Sequence, residues 1–84
     1  MSKDHITLYT TSWCPHCVRL KNSLDRSGTP YTNIDVEQDE AAAEWVKSVN
    51  NGNRVVPTVE YSDGTHATNP PAADVRQKLA ELSG

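Results

Sequence analysis

The only thiols in this chain stand three residues apart, in Trp13-Cys14-Pro15-His16-Cys17. If the segment is helical, positions i and i+3 share a face about one turn apart. That spacing lets the sulfurs reach bonding geometry, with α-carbons about 5.5 Å apart. Pro15 suits the first helical position, because its missing N–H would have had no intrahelical partner there. Cys14 then sits at the helix N-terminus, where unpaired N–H groups and the positive end of the dipole stabilise a thiolate. The thiolate is the attacking species of thiol–disulfide exchange, and that is the chemistry to which the spacing points.

Other uses of the same residues compete with this one. A structural disulfide across so short a loop would constrain the unfolded chain very little. A zinc site could draw on His16, His5 or His66, but no second pair with metal-ligand spacing exists and structural zinc wants four ligands. No metal is therefore expected. Two inert buried cysteines would leave the proline between them unexplained.

The elements that must position the motif fit one domain spanning residues 1–84, with one modest core. Eight basic against eleven acidic residues leave a net charge of −3, which gives no sign of a nucleic-acid surface. Met1-Ser2-Lys3-Asp4-His5 leads straight into a strand-like run, so neither a signal peptide nor a membrane span is expected. A cytoplasmic location follows as an expectation, and in that compartment a lone C-x-x-C reads as catalytic.

His5-Ile6-Thr7-Leu8-Tyr9-Thr10 alternates Ile6 and Leu8 with Thr7 and Tyr9 and is rich in strand formers. Thr11-Ser12-Trp13 then delivers Cys14 to a helix on which Cys17, Leu20 and Leu24 form one apolar face. Cys17 should thus point inward while Cys14 stays at the exposed end, which makes Cys14 the attacker and Cys17 the resolver. Gly28 stops the helix, with Pro30 beyond it. Tyr31–Val36 reads as a second strand, and Glu37, Asp39 and Glu40 as the acidic start of a second helix buried through Ala42, Trp45, Val46 and Val49.

After the Asn50–Asn53 loop, Arg54–Tyr61 is strand-like but holds Pro57, which demotes it to an edge or an irregular start. A cis Val56–Pro57 bond is the alternative, uncommon at about 5% of X–Pro bonds. Ser62-Asp63-Gly64 turns the chain into Thr65–Thr68, and Asn69 is placed to cap a last helix with Pro70 at its first position. That helix would bury Ala72, Val75, Leu79 and Leu82. The order is β-α-β-α-β-β-α, with the first two strands parallel and the last two a hairpin: an α/β, four-stranded mixed sheet flanked by three helices.

With the motif at the end of the first strand and this element order, the chain resembles glutaredoxins over nearly its full length, and among them the actinobacterial branch called mycoredoxins. Tyr9–Cys17, Ala41–Asn50, Asn53–Val59 and Asp63-Gly64 through Thr68-Asn69-Pro70 carry the resemblance. It implies a thioredoxin fold and a cis Pro57 facing Cys14. It also implies that the Val56 backbone pairs with that of a bound thiol or peptide. Trp13, Pro15 and His16 complete the active-site motif.

Departures from glutathione-using relatives are informative. Such proteins commonly carry Lys or Arg where Thr11 stands, and a Gly-Gly-(Cys/Ser)-Asp stretch around Asn69-Pro70-Pro71. Those features suit glutathione, with its two carboxylates and ammonium group. Mycothiol, as the resemblance implies, joins a cysteine to uncharged sugars, which Thr11, Thr68 and Asn69 suit better. Those residues could equally finish a strand and cap a helix. His16 replaces the Tyr or Phe often found in the motif and resembles that of the periplasmic thiol oxidants, where an imidazole near the first cysteine stabilises its thiolate.

The reading that follows is a small monomeric thiol–disulfide oxidoreductase that reduces mycothiol–protein mixed disulfides. Cys14 attacks, and Cys17 or a second mycothiol resolves. No bound cofactor is expected; mycothiol is the reducing co-substrate, with electrons ultimately from NADPH through mycothiol disulfide reductase. The partners expected are mycothiol and S-mycothiolated proteins, with neither nucleic acid nor membrane. Rival readings are a redoxin that feeds ribonucleotide reductase and is recharged by thioredoxin reductase, and a glutaredoxin that holds an iron–sulfur cluster through Cys14 and thiol ligands.

Overall fold

A computed structural model of the chain describes residues 6–83; His5, considered above as a zinc ligand and strand residue, lies outside them. Strand β1 (Ile6–Thr10) leads into helix α1 (Pro15–Arg26), followed by β2 (Tyr31–Asp35), α2 (Glu40–Val49), β3 (Thr58–Glu60), β4 (His66–Thr68) and α3 (Ala72–Ser83). The sheet order is β2-β1-β3-β4. β1 runs parallel to β2, with Leu8 opposite Asn33, and antiparallel to β3, with Leu8 opposite Val59. β3 and β4 form the expected hairpin. This is the four-stranded mixed sheet expected from the element order, and the thioredoxin fold that the resemblance implies.

β1 is central because both of its faces are covered. Ile6 and Leu8 pack with Val59 and Tyr61 against Leu20 and Leu24 of α1 and Val75 of α3. Tyr9 packs on the opposite face with Val36 and with Ala42, Ala43 and Val46 of α2. The alternation of β1 therefore describes two buried faces rather than one buried and one wet, and Tyr9, expected on the polar side, is core. Each of the large aliphatic side chains wholly enclosed here contributes about 1.5–3 kcal/mol. Trp45 is half-buried, its ring 4.7 Å from that of Tyr9. Among the described residues no helix is long and apolar enough to cross a membrane.

The ends of α1 are set locally. Pro15 occupies its first position, as the sequence predicts. At the other end Thr29 N–H donates to the Leu24 carbonyl at 2.9 Å and Gly28 N–H to that of Asp25 at 3.1 Å. Gly28 has φ +70°, the left-handed value that this closure needs and that glycine adopts freely. The start of α3 differs from expectation. Asn69 does not cap it; the helix begins at Ala72, and the Pro71 carbonyl accepts the first bonds, from Asp74 and Val75. The reason is Pro71, which disfavours helical backbone at the residue before it and so keeps Pro70 out of the helix.

Candidate active site

The cysteine motif lies where β1 ends and α1 begins. Cys14 has extended backbone, φ −80° and ψ 116°, and its sulfur accepts from the backbone N–H of Cys17 at 3.2 Å. The sulfur thus occupies the place that a serine or aspartate oxygen takes when it caps a helix. The Cys14 carbonyl accepts the first helical bond, from Val18 at 3.1 Å. Sequence spacing alone sets this geometry, because the donor is three residues on.

A second segment closes over the sulfur. The Val56–Pro57 bond is cis, as the family resemblance implies and the base rate alone would not. The Val56 carbonyl faces the Cys14 thiol at 3.9 Å. Pro57 is buried, and its carbonyl accepts from the N–H of Asn69 at 2.7 Å. Cys14 is consequently only 4% exposed, which corrects the expectation that it stays at the open end. The helix start would be open on its own, but the Val56–Pro57 segment covers it.

Cys17 is wholly buried on the inner face of α1, as its helical position requires. Burial pushes its thiol well above the ordinary value, and the hydrogen bond with Cys14 adds to this; the backbone N–H of Thr11 and the charge of Lys21 offset part of it. Both cysteines are free. Of the two sulfurs, then, Cys17 is the one held as a thiol, while Cys14 has the N–H donor. The two sulfurs thus differ in hydrogen bonding rather than in exposure.

The remaining expected residues are distributed around this pair. Trp13 is 66% exposed beside Cys14. His16 is exposed on α1 and faces a cleft toward Asn69; among the described residues it makes no hydrogen bond to Cys14. Thr11 is 2% exposed, and its hydroxyl is buried without a partner among the described residues. Asn69 has φ +50°, a left-handed conformation that asparagine tolerates better than most residues. Thr68 is exposed and donates its hydroxyl proton to Asn50 Oδ1 at 2.6 Å. His66 stands edge-on to Trp45, with centroids 6.1 Å apart, rather than beside the cysteines.

Two positioning residues escape the sequence reading. Glu37, grouped there with the acidic start of α2, instead accepts from the Trp13 indole N–H at 2.9 Å, so it fixes the exposed ring. The helix is capped by Asp39, which accepts from Ala42 N–H at 3.0 Å. Asn50, read as plain loop, donates to the Val46 carbonyl at 2.8 Å and to Thr58 Oγ1 at 3.3 Å, while Thr58 donates to the Val55 carbonyl at 2.8 Å. These bonds tie the Val55–Thr58 segment to the end of α2. The one available signal was an asparagine just past the last apolar residue of a predicted helix.

Comparison with known proteins places this geometry in context. The sequence model of the Glutaredoxin family matches residues 6–67. Mycoredoxin 1 of Corynebacterium glutamicum is 61% identical over 80 residues, covering 95% of this chain and 99% of its own. Putative glutaredoxin Rv3198A of Mycobacterium tuberculosis is 51% identical, covering 94% of each. Among solved structures, the thioredoxin-like protein BC3987 superposes with a TM-score of 0.69 at 30% identity, covering 88% of this chain and 97% of that one.

Proposed function

The chain belongs to the glutaredoxin family of thiol–disulfide oxidoreductases, and on that premise we propose that it reduces mixed disulfides between mycothiol and protein cysteines in the cytoplasm. The likeness to Mycoredoxin 1 over almost the whole of both chains is the observation that carries the choice of thiol. The site is compatible with it. Position 11 is a threonine rather than a cation, and Asn69, Pro70 and Pro71 line the cleft opposite His16.

In this reading the Cys14 thiolate attacks the mycothiol sulfur, the S–S bond breaks, and the protein leaves as a thiol after taking up a proton. Cys14 is left disulfide-bonded to mycothiol. A second mycothiol thiolate attacks the sulfur of the bound mycothiol, the bond to Cys14 breaks and restores its thiolate, and the two mycothiols depart as mycothiol disulfide, which mycothiol disulfide reductase returns to the thiol with electrons from NADPH. Alternatively Cys17 gives up its proton and attacks Cys14, expelling mycothiol and forming the Cys14–Cys17 disulfide. The sulfurs carry the electrons, so the proposal includes no bound cofactor, and a monomer suffices.

Turnover of one mixed-disulfide substrate in parallel coupled systems, mycothiol with its reductase and glutathione with its own, tests the choice. A charge-assisted contact is worth about 1.5–3 kcal/mol, so a glutathione carboxylate without its partner loses roughly tenfold or more. Faster turnover with mycothiol by that margin is expected. Equal rates would leave a general glutaredoxin.

A further inference from the structure

A cleft of about 410 Å³ opens beside the active-site motif, between α1 and the segment that leads into α3. One wall is a single face of α1. His16, Arg19, Ser23 and Arg26 recur there at intervals of three, four and three residues, the spacing that aligns side chains along a helix. Leu20 is the buried floor between them, and Asn69 stands on the facing wall. No acidic residue lines the cleft, although the chain as a whole carries −3.

The arginines are uncommitted. Arg19 and Arg26 make no ion pair or hydrogen bond among the described residues, whose ion pairs are Lys47 with Glu44 and Lys78 with Asp63. Arg76 of α3 adds a further positive charge near Ser23, to which it donates at 3.4 Å. The acids nearest in sequence do not line the cleft: Asp25 accepts from the Tyr31 hydroxyl at 2.9 Å, and Asp74 lies in the first turn of α3. Cys14 does not itself line the cleft, but the His16–Asn69 end lies toward the motif: His16 follows Cys14 by two residues, and Asn69 N–H donates to the carbonyl of Pro57, the residue after Val56, whose own carbonyl faces the thiol. From His16 to Arg26 the helix rises about 15 Å, the span of roughly four or five extended residues.

We propose that this cleft binds an acidic, extended segment of the client polypeptide, within about five residues of the cysteine that Cys14 attacks. Guanidinium groups present paired donors that match carboxylates, and their spacing along α1 would read acidic side chains at successive positions. A small thiol would fill the His16–Asn69 end alone, so the arginines select among protein substrates rather than among small thiols. The inference rests on the oxidoreductase reading, in that Cys14 forms disulfides with protein cysteines.

The test uses the Cys17→Ser variant with Cys14 carried as its mixed disulfide with thionitrobenzoate. A peptide thiolate attacks the Cys14 sulfur, expels thionitrobenzoate and takes its place, with no net change in oxidation. Two peptides compete at equal concentration, each with a single cysteine flanked on both sides by glutamates in one and glutamines in the other. The equilibrium ratio of the two protein adducts is read by intact mass. Exposed ion pairs each change affinity by roughly 1.5- to fivefold, so two arginines should favour the glutamate peptide about two- to twenty-fivefold at low salt. The ratio should fall toward one in high salt and in Arg19→Gln/Arg26→Gln. A ratio near one in the parent, or a preference that the double variant leaves unchanged, overturns the proposal. Mycothiol turnover by the parent, measured separately, distinguishes failure of the cleft from failure of the proposed function.

Discussion

Replacing Cys17 with serine removes one sulfur while keeping the donor that faces the other. Cys14 accepts from the backbone N–H of residue 17 at 3.2 Å, and a serine retains that group. The side-chain position is wholly enclosed, and a hydroxyl buried there without a partner would cost about 1–3 kcal/mol. Partners exist in the Thr11 backbone N–H and the Cys14 sulfur, which already interact with the Cys17 side chain. The loss should therefore lie at the low end, about 1 kcal/mol, against the 5–15 kcal/mol typical of a folded domain. The variant stays folded and differs from the parent chiefly in chemistry. With mycothiol mixed disulfides in the coupled assay, kcat/KM should stay within about fivefold, equivalent to less than about 1 kcal/mol of the barrier. Reduction of a protein disulfide that requires two thiols should fall to background, as should every activity of Cys14→Ser. If Cys17→Ser were as inactive as Cys14→Ser on mycothiol mixed disulfides, the single-cysteine route would be wrong.

Two further predictions concern neighbours of the site. Burial and the Glu60 carboxylate, which accepts from the Tyr9 hydroxyl at 2.8 Å, push Tyr9 up to about 12. Its contribution to stability is then complete below its ordinary value near 10 and is lost as pH rises toward 12. Tyr9→Phe should cost about 1 kcal/mol at neutral pH yet flatten the fall of Tm across that window, and equal slopes in both proteins would refute the assignment. Thr11 buries a hydroxyl without a partner among the described residues, so Thr11→Val should stabilise the fold by about 1 kcal/mol; a lower Tm would mean that the hydroxyl is satisfied.

What could be read in advance divides along a physical line. Local rules placed α1, because a proline at its first position and a glycine past its end act on the backbone within a turn. The parallel pairing of β1 with β2 and the β3–β4 hairpin followed from crossover and hairpin rules that need only element order, whereas the place of β3 beside β1 did not. Tyr9 was misplaced because period-two patterning cannot tell a wet face from one covered by a distant helix. The accessibility of Cys14 was misjudged for a related reason. The Val56–Pro57 segment that covers it lies about forty residues away, and its conformation was legible through family resemblance rather than propensity. Glu37 shows the limit in miniature, since an acid near a helix start reads as a cap unless the tryptophan it serves is already in place.

Burial and attack at Cys14 are reconciled by the directions of its contacts. One side of Cys14 meets the Cys17 N–H at the head of α1. On another side stands the Val56 carbonyl, an acceptor at the lip of the site where the N–H of an incoming extended chain can pair. Trp13, exposed but tied to Glu37, forms a fixed wall instead of a swinging cover. Little of the sulfur's surface is open, so reach depends on the thickness of the substrate. A disulfide on a small thiol or on an extended segment can bring its sulfur in line beside Val56 and Asn69. One flanked by packed secondary structure cannot do so without opening first. In the proposed function, selectivity for protruding disulfides would therefore come from the segment that covers Cys14, about forty residues away in sequence from the helix start that holds its sulfur.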